Sequence, residues 1–324
     1  MKQVDRDPVD IPVAPDAASA LGTAALVALH APSVHNTQPW HWRVTGDRLE
    51  LYGDQRWRLD VADPSGRLLL LSCGAALHHA RVALRGMGYL PAVRRFRDRD
   101  EPGLLATVTV DRQIAVTGPA AALLGAILAR QTDRRPFADV PLPESAVTAL
   151  RQAAASEGAW LHLLSAEQAT TLLAAAEQAE TVEFADRHYR QELASWTRRE
   201  LGASEGIPAT ALPPRGDGYP RSGSYAVLYG NGDRPISWLH AGEALSAVWL
   251  AALVNGLCLQ PLSVVIEVPA ARATLHRMLY GMGSPYLALR IGIPAANGGN
   301  PTLTGRRPAP DSVDVAVVVG PGSP

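Results

Sequence analysis

Apolar positions along the chain fall into blocks of two periods. From Asp16 to His30, alanine, leucine and valine recur at helical spacing behind an aspartate suited to cap a helix start, and Pro32 ends the run. Trp40 to Val44 and Arg48 to Tyr52 read as strands joined through Thr45-Gly46-Asp47 in a hairpin. Leu68 to Met87 is a long apolar helical run closed by Gly88, and Leu104 to Val110 is strand-like. A similar order follows. Ala120 to Gln131 predicts a helix, and Pro141-Leu142-Pro143-Glu144 opens another through about Ala155 with proline in its first turn. Trp160 to Leu164 predicts a strand, then come helical segments at roughly 166–180 and 183–201, the strand Tyr225 to Tyr229, a buried helix from Trp238 to Asn255, the amphipathic run Ala270 to Leu279 and the strand Leu287 to Ile293. The polar Gly/Pro-rich passage from Gly202 to Gly223 is longer than a compact domain needs for a connection, and such passages serve as lids or binding loops.

The order of elements repeats. With Gly74 set against Gly242, Ala76 falls on Ala244, Leu77 on Leu245, Ala83 on Ala251 and Gly88 on Gly256. Each half has a helix, a strand opening on tryptophan, a long buried helix and a closing strand. This predicts an α+β chain of two similar halves that face each other as a pseudo-dimer. The boundaries follow as a flexible tail at 1–16, a first half at 17–118, a second half at 119–307 with a lid insertion at about 167–237, and a C-terminal tail at 308–324.

Composition narrows the chemistry. A formal net charge of -1 with scattered basic residues lacks the footprint of a nucleic-acid binder or a membrane-surface protein. The longest apolar runs are interrupted by polar residues, and the N-terminus is polar, so neither a membrane span nor a signal segment is expected. Cys73 and Cys258 lie among apolar residues and read as core thiols of a cytoplasmic protein. His78 and His79 are adjacent on a predicted helix, where neighbouring side chains diverge, and no metal is expected. Neither a local nucleophile–histidine signature nor a Gly-rich dinucleotide fingerprint is present.

Two stretches carry polar groups in unusual density. The connector Ala31 to Val44 holds Ser33, Asn36, Thr37 and Gln38 beside Trp40 and Trp42. Side-chain amides donate and accept at once, which matches the alternating edge of a pyrimidine-like ring, though turn chemistry also accounts for them and the tryptophans suit a core. Arg130, Thr132, Arg134 and Arg135 form the second stretch. Guanidinium forks suit phosphate, and pairing with Asp133 or Asp139 is the alternative.

With both stretches in view, the chain resembles the nitroreductase superfamily, in its Acg-type single-chain branch. The match rests on Pro32-Ser33-x-x-Asn36-x-Gln38-Pro39-Trp40 and on Arg130-x-Thr132-x-Arg134 followed by Phe137, with one extra residue before Phe137. The resemblance implies a nitroreductase-like fold with FMN held between the two stretches, one from each half. Arg134 is then expected at the N1/O2 edge, Thr132 and Asn36 at ring or ribityl atoms, and Gln38 among the cofactor-binding residues. Ser33, Arg130, Arg306 and Arg307 are expected at the phosphate, Pro32 at the dimethylbenzene edge, and a backbone N–H of Leu262, Ser263 or Val264 at N5. It also implies NADH or NADPH as electron donor, hydride transfer through flavin N5 to a small nitro compound or quinone, and one site in a chain able to act as a monomer. The long insertion leaves open a flavin store or sensor whose lid blocks turnover.

Overall fold

The computed structural model describes residues 16–96, 101, 103–197, 200, 203–209, 218–295 and 304–316. The N-terminal tail expected at 1–16, apart from Asp16, lies outside them, as do parts of 198–217 and the stretches 296–303 and 317–324.

Helix α1 (Ala17–Ala28) starts on Asp16, whose carboxylate accepts the Ser19 N–H at 2.8 Å, the cap expected from sequence. Strands β1 (Trp40–Thr45) and β2 (Arg48–Gly53) pair antiparallel, with Gly46 supplying the positive φ of the turn. Helix α2 (Arg67–Gly86) follows, then β3 (Tyr89–Arg95) and β4 (Leu104–Gln113). Helix α3 (Gly118–Ala129) leads to the second half, composed of α4 (Glu144–Ser156), β5 (Trp160–Leu163), α5 (Ala166–Ala185), α6 (Arg187–Thr197), β6 (Ser224–Gly230), α7 (Pro235–Val254), β7 (Cys258–Leu262), α8 (Val264–Glu267), α9 (Pro269–Met278) and β8 (Ser284–Gly292). The chain closes with β9 (Val313–Ala316).

The two sheets have matching connectivity. One runs β3-β4-β2-β1-β9 and the other β5-β6-β8-β7, so each long helix is flanked by strands in the same relative order. Strand β9 lies parallel to β1, which places residues expected as C-terminal tail inside the first half's sheet. The hydrophobic core divides into a major cluster at each sheet, with α2 and α7 packed against each other between them. They cross at the two glycines that the repeat aligns. A Cβ on Gly74 would overlap Leu239 O and stand 2.9 Å from its carbonyl carbon, and one on Gly242 would overlap Leu71 O and stand 2.7 Å from its carbonyl carbon. Only glycine permits this backbone approach.

Strands β3 and β7 do not stand out in the sequence pattern, because Pro91 and Pro261 interrupt short runs. The helical break expected near 180 falls at Asp186, whose carboxylate accepts the His188 N–H at 2.8 Å. The insertion occupies the connection between β5 and β6, so it stops before Ser224 rather than near 237. Helix α7 is, against expectation, long and apolar enough to cross a membrane, with mean hydropathy 1.2, yet 67% of that window is buried in the fold.

Candidate functional site

The loop between α1 and β1 is wound tightly. His35, Asn36 and Gln38 have φ of 44°, 57° and 51°, left-handed values that non-glycine residues adopt when the surroundings enforce them. The enforcement is visible. Ser33 Oγ accepts the Gln38 N–H at 2.9 Å, and Ser72 Oγ on α2 accepts the Val34 N–H at 3.2 Å. The loop's exposed side forms one wall of a cavity of about 340 Å³.

Opposite stands the segment after α3. Arg130, at the C-cap of that helix, is 7% exposed, and its guanidinium lies 4.6 Å from the Trp249 ring centroid. Its Nη2 reaches His30 O at 3.4 Å, while Nε and Nη1 have no partner among the described residues. Burial and the nearby positive charge of Arg306 depress its pKa well below the ordinary arginine value. Arg134, which makes no hydrogen bond or ion pair among the described residues, is pulled down to about 10 by burial. Arg306 is brought down to about 10 for the same reason; it donates to Asn36 Oδ1 at 3.3 Å and to His30 O at 3.2 Å, leaving Nε unmatched. His35, held down to about 4 by burial and by Arg134, presents a neutral ring with Nε2 unpartnered. A buried cation normally sits beside a carboxylate. Arg130 and the half-buried Arg134 and Arg306 share one cavity with no carboxylate among their described ion pairs, an arrangement whose charge suits an anion.

The far wall differs. Glu183 on α5 and Glu267 on α8 line the same cavity with Tyr189 and Tyr219. Desolvation and mutual repulsion raise Glu183 to about 9, and desolvation is the main cause raising Glu267 to about 7. Leu71, Leu245 and Leu262 add apolar surface to the lining.

Of the residues expected from sequence, Pro32, Ser33, Asn36, Arg130, Thr132, Arg134, Leu262, Ser263 and Arg306 line this cavity; Gln38 and Arg307 do not. The Gln38 amide is 1% exposed, and its two ends are satisfied by protein: Nε2 donates to Ser204 O at 2.8 Å and Oε1 accepts the Arg307 N–H at 3.0 Å. Arg307 donates to Gln38 O and stacks on Trp57, its guanidinium carbon 4.2 Å from the ring centroid. A buried amide needs partners for both ends, and here backbone supplies them. Asn36 is divided similarly, donating to Gly206 O and Gly305 O, each at 3.2 Å, while it accepts from Arg306. These amides therefore latch the insertion and the C-terminal segment onto the loop. Arg135 is taken by Asp133, with Nη2 and Oδ2 2.5 Å apart. Among the described residues no group of histidine, cysteine, aspartate and glutamate could hold a metal ion.

The sequence reading did not identify the glutamates of the far wall. Glu183 sits inside a long helix among ordinary surface charges, and only the neighbouring Ser263 hinted that Glu267 would face the cavity.

The fold and cavity define a two-sheet protein with a pocket lined by arginines of one segment, by glutamates of another and by apolar side chains. No family model matches the chain. A protein of Mycobacterium tuberculosis named "Putative NAD(P)H nitroreductase Rv3131" is 34% identical over 300 residues, which is 86% of each chain. Another from that organism, named "Putative NAD(P)H nitroreductase acg", is 31% identical over 308 residues, 88% of this chain and 92% of the relative. Among solved structures, the FMN-dependent nitroreductase NfnB from Mycobacterium smegmatis in complex with NADPH aligns with TM-score 0.44 at 14% identity, over 61% of this chain and 100% of that one. A nitroreductase with bound FMN from Bacteroides fragilis aligns at 0.38 and 18%, over 57% and 94%. Identity at this level across most of the sequence shows that the chain belongs to the nitroreductase family of these mycobacterial proteins.

Proposed function

We propose that the protein is an FMN-dependent NAD(P)H oxidoreductase that reduces nitro compounds or quinones. The observation that carries this reading is the set of guanidinium groups with no carboxylate ion pair among the described residues, Arg130 buried and Arg134 and Arg306 half-buried, in a cavity lined jointly by the two stretches expected to hold the cofactor. The residues fit FMN. Arg130 and Arg306, with Ser33, would hold its phosphate, and Arg134 would face the electron-poor edge where negative charge gathers on reduction. Bound FMN would supply hydride chemistry between a reduced nicotinamide and the acceptor. The chain's part is to bind, orient and exclude water: Leu71, Leu245 and Leu262 form apolar walls, and the insertion covers the cavity through Ile207 and Tyr219.

One site per chain follows from the unequal halves. The repeat equates Trp249, beneath Arg130, with Arg81. Arg81 bonds Glu157 at 2.6 Å and Glu243 at 2.5 Å, and Arg95 also bonds Glu243 at 2.7 Å. There the charges neutralise each other and leave none for a phosphate. Both jaws of the cavity belong to one chain, so a monomer is sufficient.

A second reading, an FMN store or sensor, is favoured by the latch. Asn36 and Gln38 bond the insertion at Gly206 and Ser204, and a lid that never opens would keep out the nicotinamide. Purified protein should show flavin absorbance with one FMN, identified by its phosphate, per chain. Stopped-flow mixing with NADH or NADPH should bleach it. A protein that neither contains nor takes up FMN refutes both readings; a flavin that millimolar NADH and NADPH leave oxidised refutes the reductase.

A further inference from the structure

The acidic end of the cavity is not needed to hold a flavin phosphate, and an anionic ligand would be repelled there. Glu183 is 7% exposed and interacts with Tyr189 and Glu267, and Glu267 with Ser263, while one buried oxygen of each glutamate, Oε2, has no direct partner within hydrogen-bond geometry among the described residues and no cation is among their described partners. The charged groups acting most strongly on the pair are carboxylates: Glu180 on α5, Glu192 on α6 and Asp63 in the approach to α2. Tyr189, Tyr219 and Ser263 complete the polar surroundings. Arg272 on α9 donates to Ile266 O and is not among the groups that act most strongly on the two glutamates; its own described charged neighbours are Arg67 and Asp233. Phe184 and Tyr189 stand edge to face with ring centroids 5.8 Å apart, and Tyr219 lines the same wall.

A buried carboxyl pair that shares one proton and has no cation among its described partners keeps one negative charge above pH 7, and beside aromatic rings it attracts a cation twice over, through charge and through the ring quadrupole. Glu267 lies one helical turn beyond Ser263, its N–H bonded to Ser263 O at 3.1 Å, so the acidic wall adjoins the segment expected near the flavin's reactive atom. We propose that the electron acceptor carries a protonated nitrogen, an ammonium or amidinium group on an aromatic body, and that Glu183 and Glu267 hold this group while the apolar lining of the cavity holds the ring. The proposal rests on the reductase reading and specifies its substrate class. It also assigns specificity to the far wall: a neutral acceptor gains nothing there, and an anionic one is rejected.

Three isosteric nitroaromatics test it, namely 4-nitrobenzamidine, 4-nitrobenzamide and 4-nitrobenzoate. Binding to the oxidised FMN-loaded protein is followed by perturbation of flavin absorbance and by calorimetry, and kcat/KM is measured alongside. The amidine should bind about tenfold tighter than the amide, with the benzoate weakest. The double variant Glu183→Gln, Glu267→Gln should erase the amidine's advantage and leave amide affinity within about twofold. Because Glu267 is held near 7, the wild-type preference should shrink as pH falls from 8 to 6, when the pair takes up a second proton. Equal affinity for amidine and amide, or an advantage that survives in the double variant, overturns the proposal. Failure of the parent reading looks different: no FMN is retained, or it is never bleached by NAD(P)H, whatever the acceptor.

Discussion

Replacing Gly242 by alanine tests the geometry on which the shared cavity depends. The added Cβ would stand 2.7 Å from the Leu71 carbonyl carbon and closer still to its oxygen, against an ordinary contact of 3.4–4 Å. Both obstacles are backbone, so neither can rotate away, and because the oxygen is the closer of the two, α2 and α7 must part by about 1 Å or more. A gap of that size forfeits roughly a quarter to a half of the dispersion energy of the atoms it separates. Alanine's better helix propensity returns only about 1 kcal/mol. The net expectation is a loss of about 3 kcal/mol, the upper part of the overpacking range. Gly125→Ala on α3 is the control: no atom lies within 4 Å of its would-be Cβ, and the same chemical change there should stabilise by about 1 kcal/mol. Urea midpoints of both variants are compared without FMN, because a bound ligand adds its own stabilisation. Since the crossing sets the distance between the Pro32–Asn36 loop and Arg130, Gly242→Ala should also weaken FMN retention. A midpoint for Gly242→Ala at or above wild type refutes the close crossing.

Arg134→Ala and Asn36→Ala should each lower FMN affinity by about tenfold or more, although they come from different halves, whereas Arg135→Ala should leave it within about twofold because that side chain is tied to Asp133; equilibrium dialysis decides, and an effect from only one jaw rules out the shared site. Gln38→Ala removes the bonds to Ser204 O and the Arg307 N–H, so amide exchange should speed up at residues 203–209 before any global unfolding. His78, buried beside Ser246, is held down to about 3, and its folded pKa lies below its unfolded value, so its contribution is complete above pH 6.5 and is lost as pH falls toward 3. The raised pKa values of Glu183 and Glu267 act in the opposite sense between about pH 4.5 and 7. The clean test is therefore a difference: His78→Gln should flatten the urea-midpoint slope between pH 6 and 4.5 by about 1.4 kcal/mol per pH unit relative to wild type, and an unchanged slope means that the ring titrates normally.

Elements with strong periodicity were legible in the sequence. The Asp16 cap, the Gly46 turn and the two buried helices follow from local rules that hold regardless of tertiary partners. The pairing of Gly74 with Gly242 was legible for another reason: a repeat preserves the residue at a steric bottleneck. Strand β9 was hidden because four residues carry too little pattern, and its place is fixed by an open edge at β1. The far-wall glutamates were hidden because burial of a surface-type residue is decided by what packs over it, here α6, the Tyr219 segment and α8.

The loop between α1 and β1 shows where such reading stops. Its residue types announce dense hydrogen bonding in a strained turn, and the structure has both. They do not announce the partners. The Asn36 and Gln38 amides could have met a heterocycle or a backbone, since a carbonyl and an N–H offer the same complementarity in either. The partners found at Ser204, Gly206, Gly305 and Arg307 are more than a hundred and fifty residues away in sequence. With these amides holding the insertion, the groups that would be left for a ligand at this end are Arg130 Nε and Nη1, Arg306 Nε and His35 Nε2, which have no partner among the described residues, together with the Arg134 guanidinium, for which no ion pair is found among them. A lid opening here would break contacts of the same loop that forms the cavity wall, and on the proposed function it would couple substrate entry to the grip of the arginines through Asn36, which contacts both the insertion and Arg306.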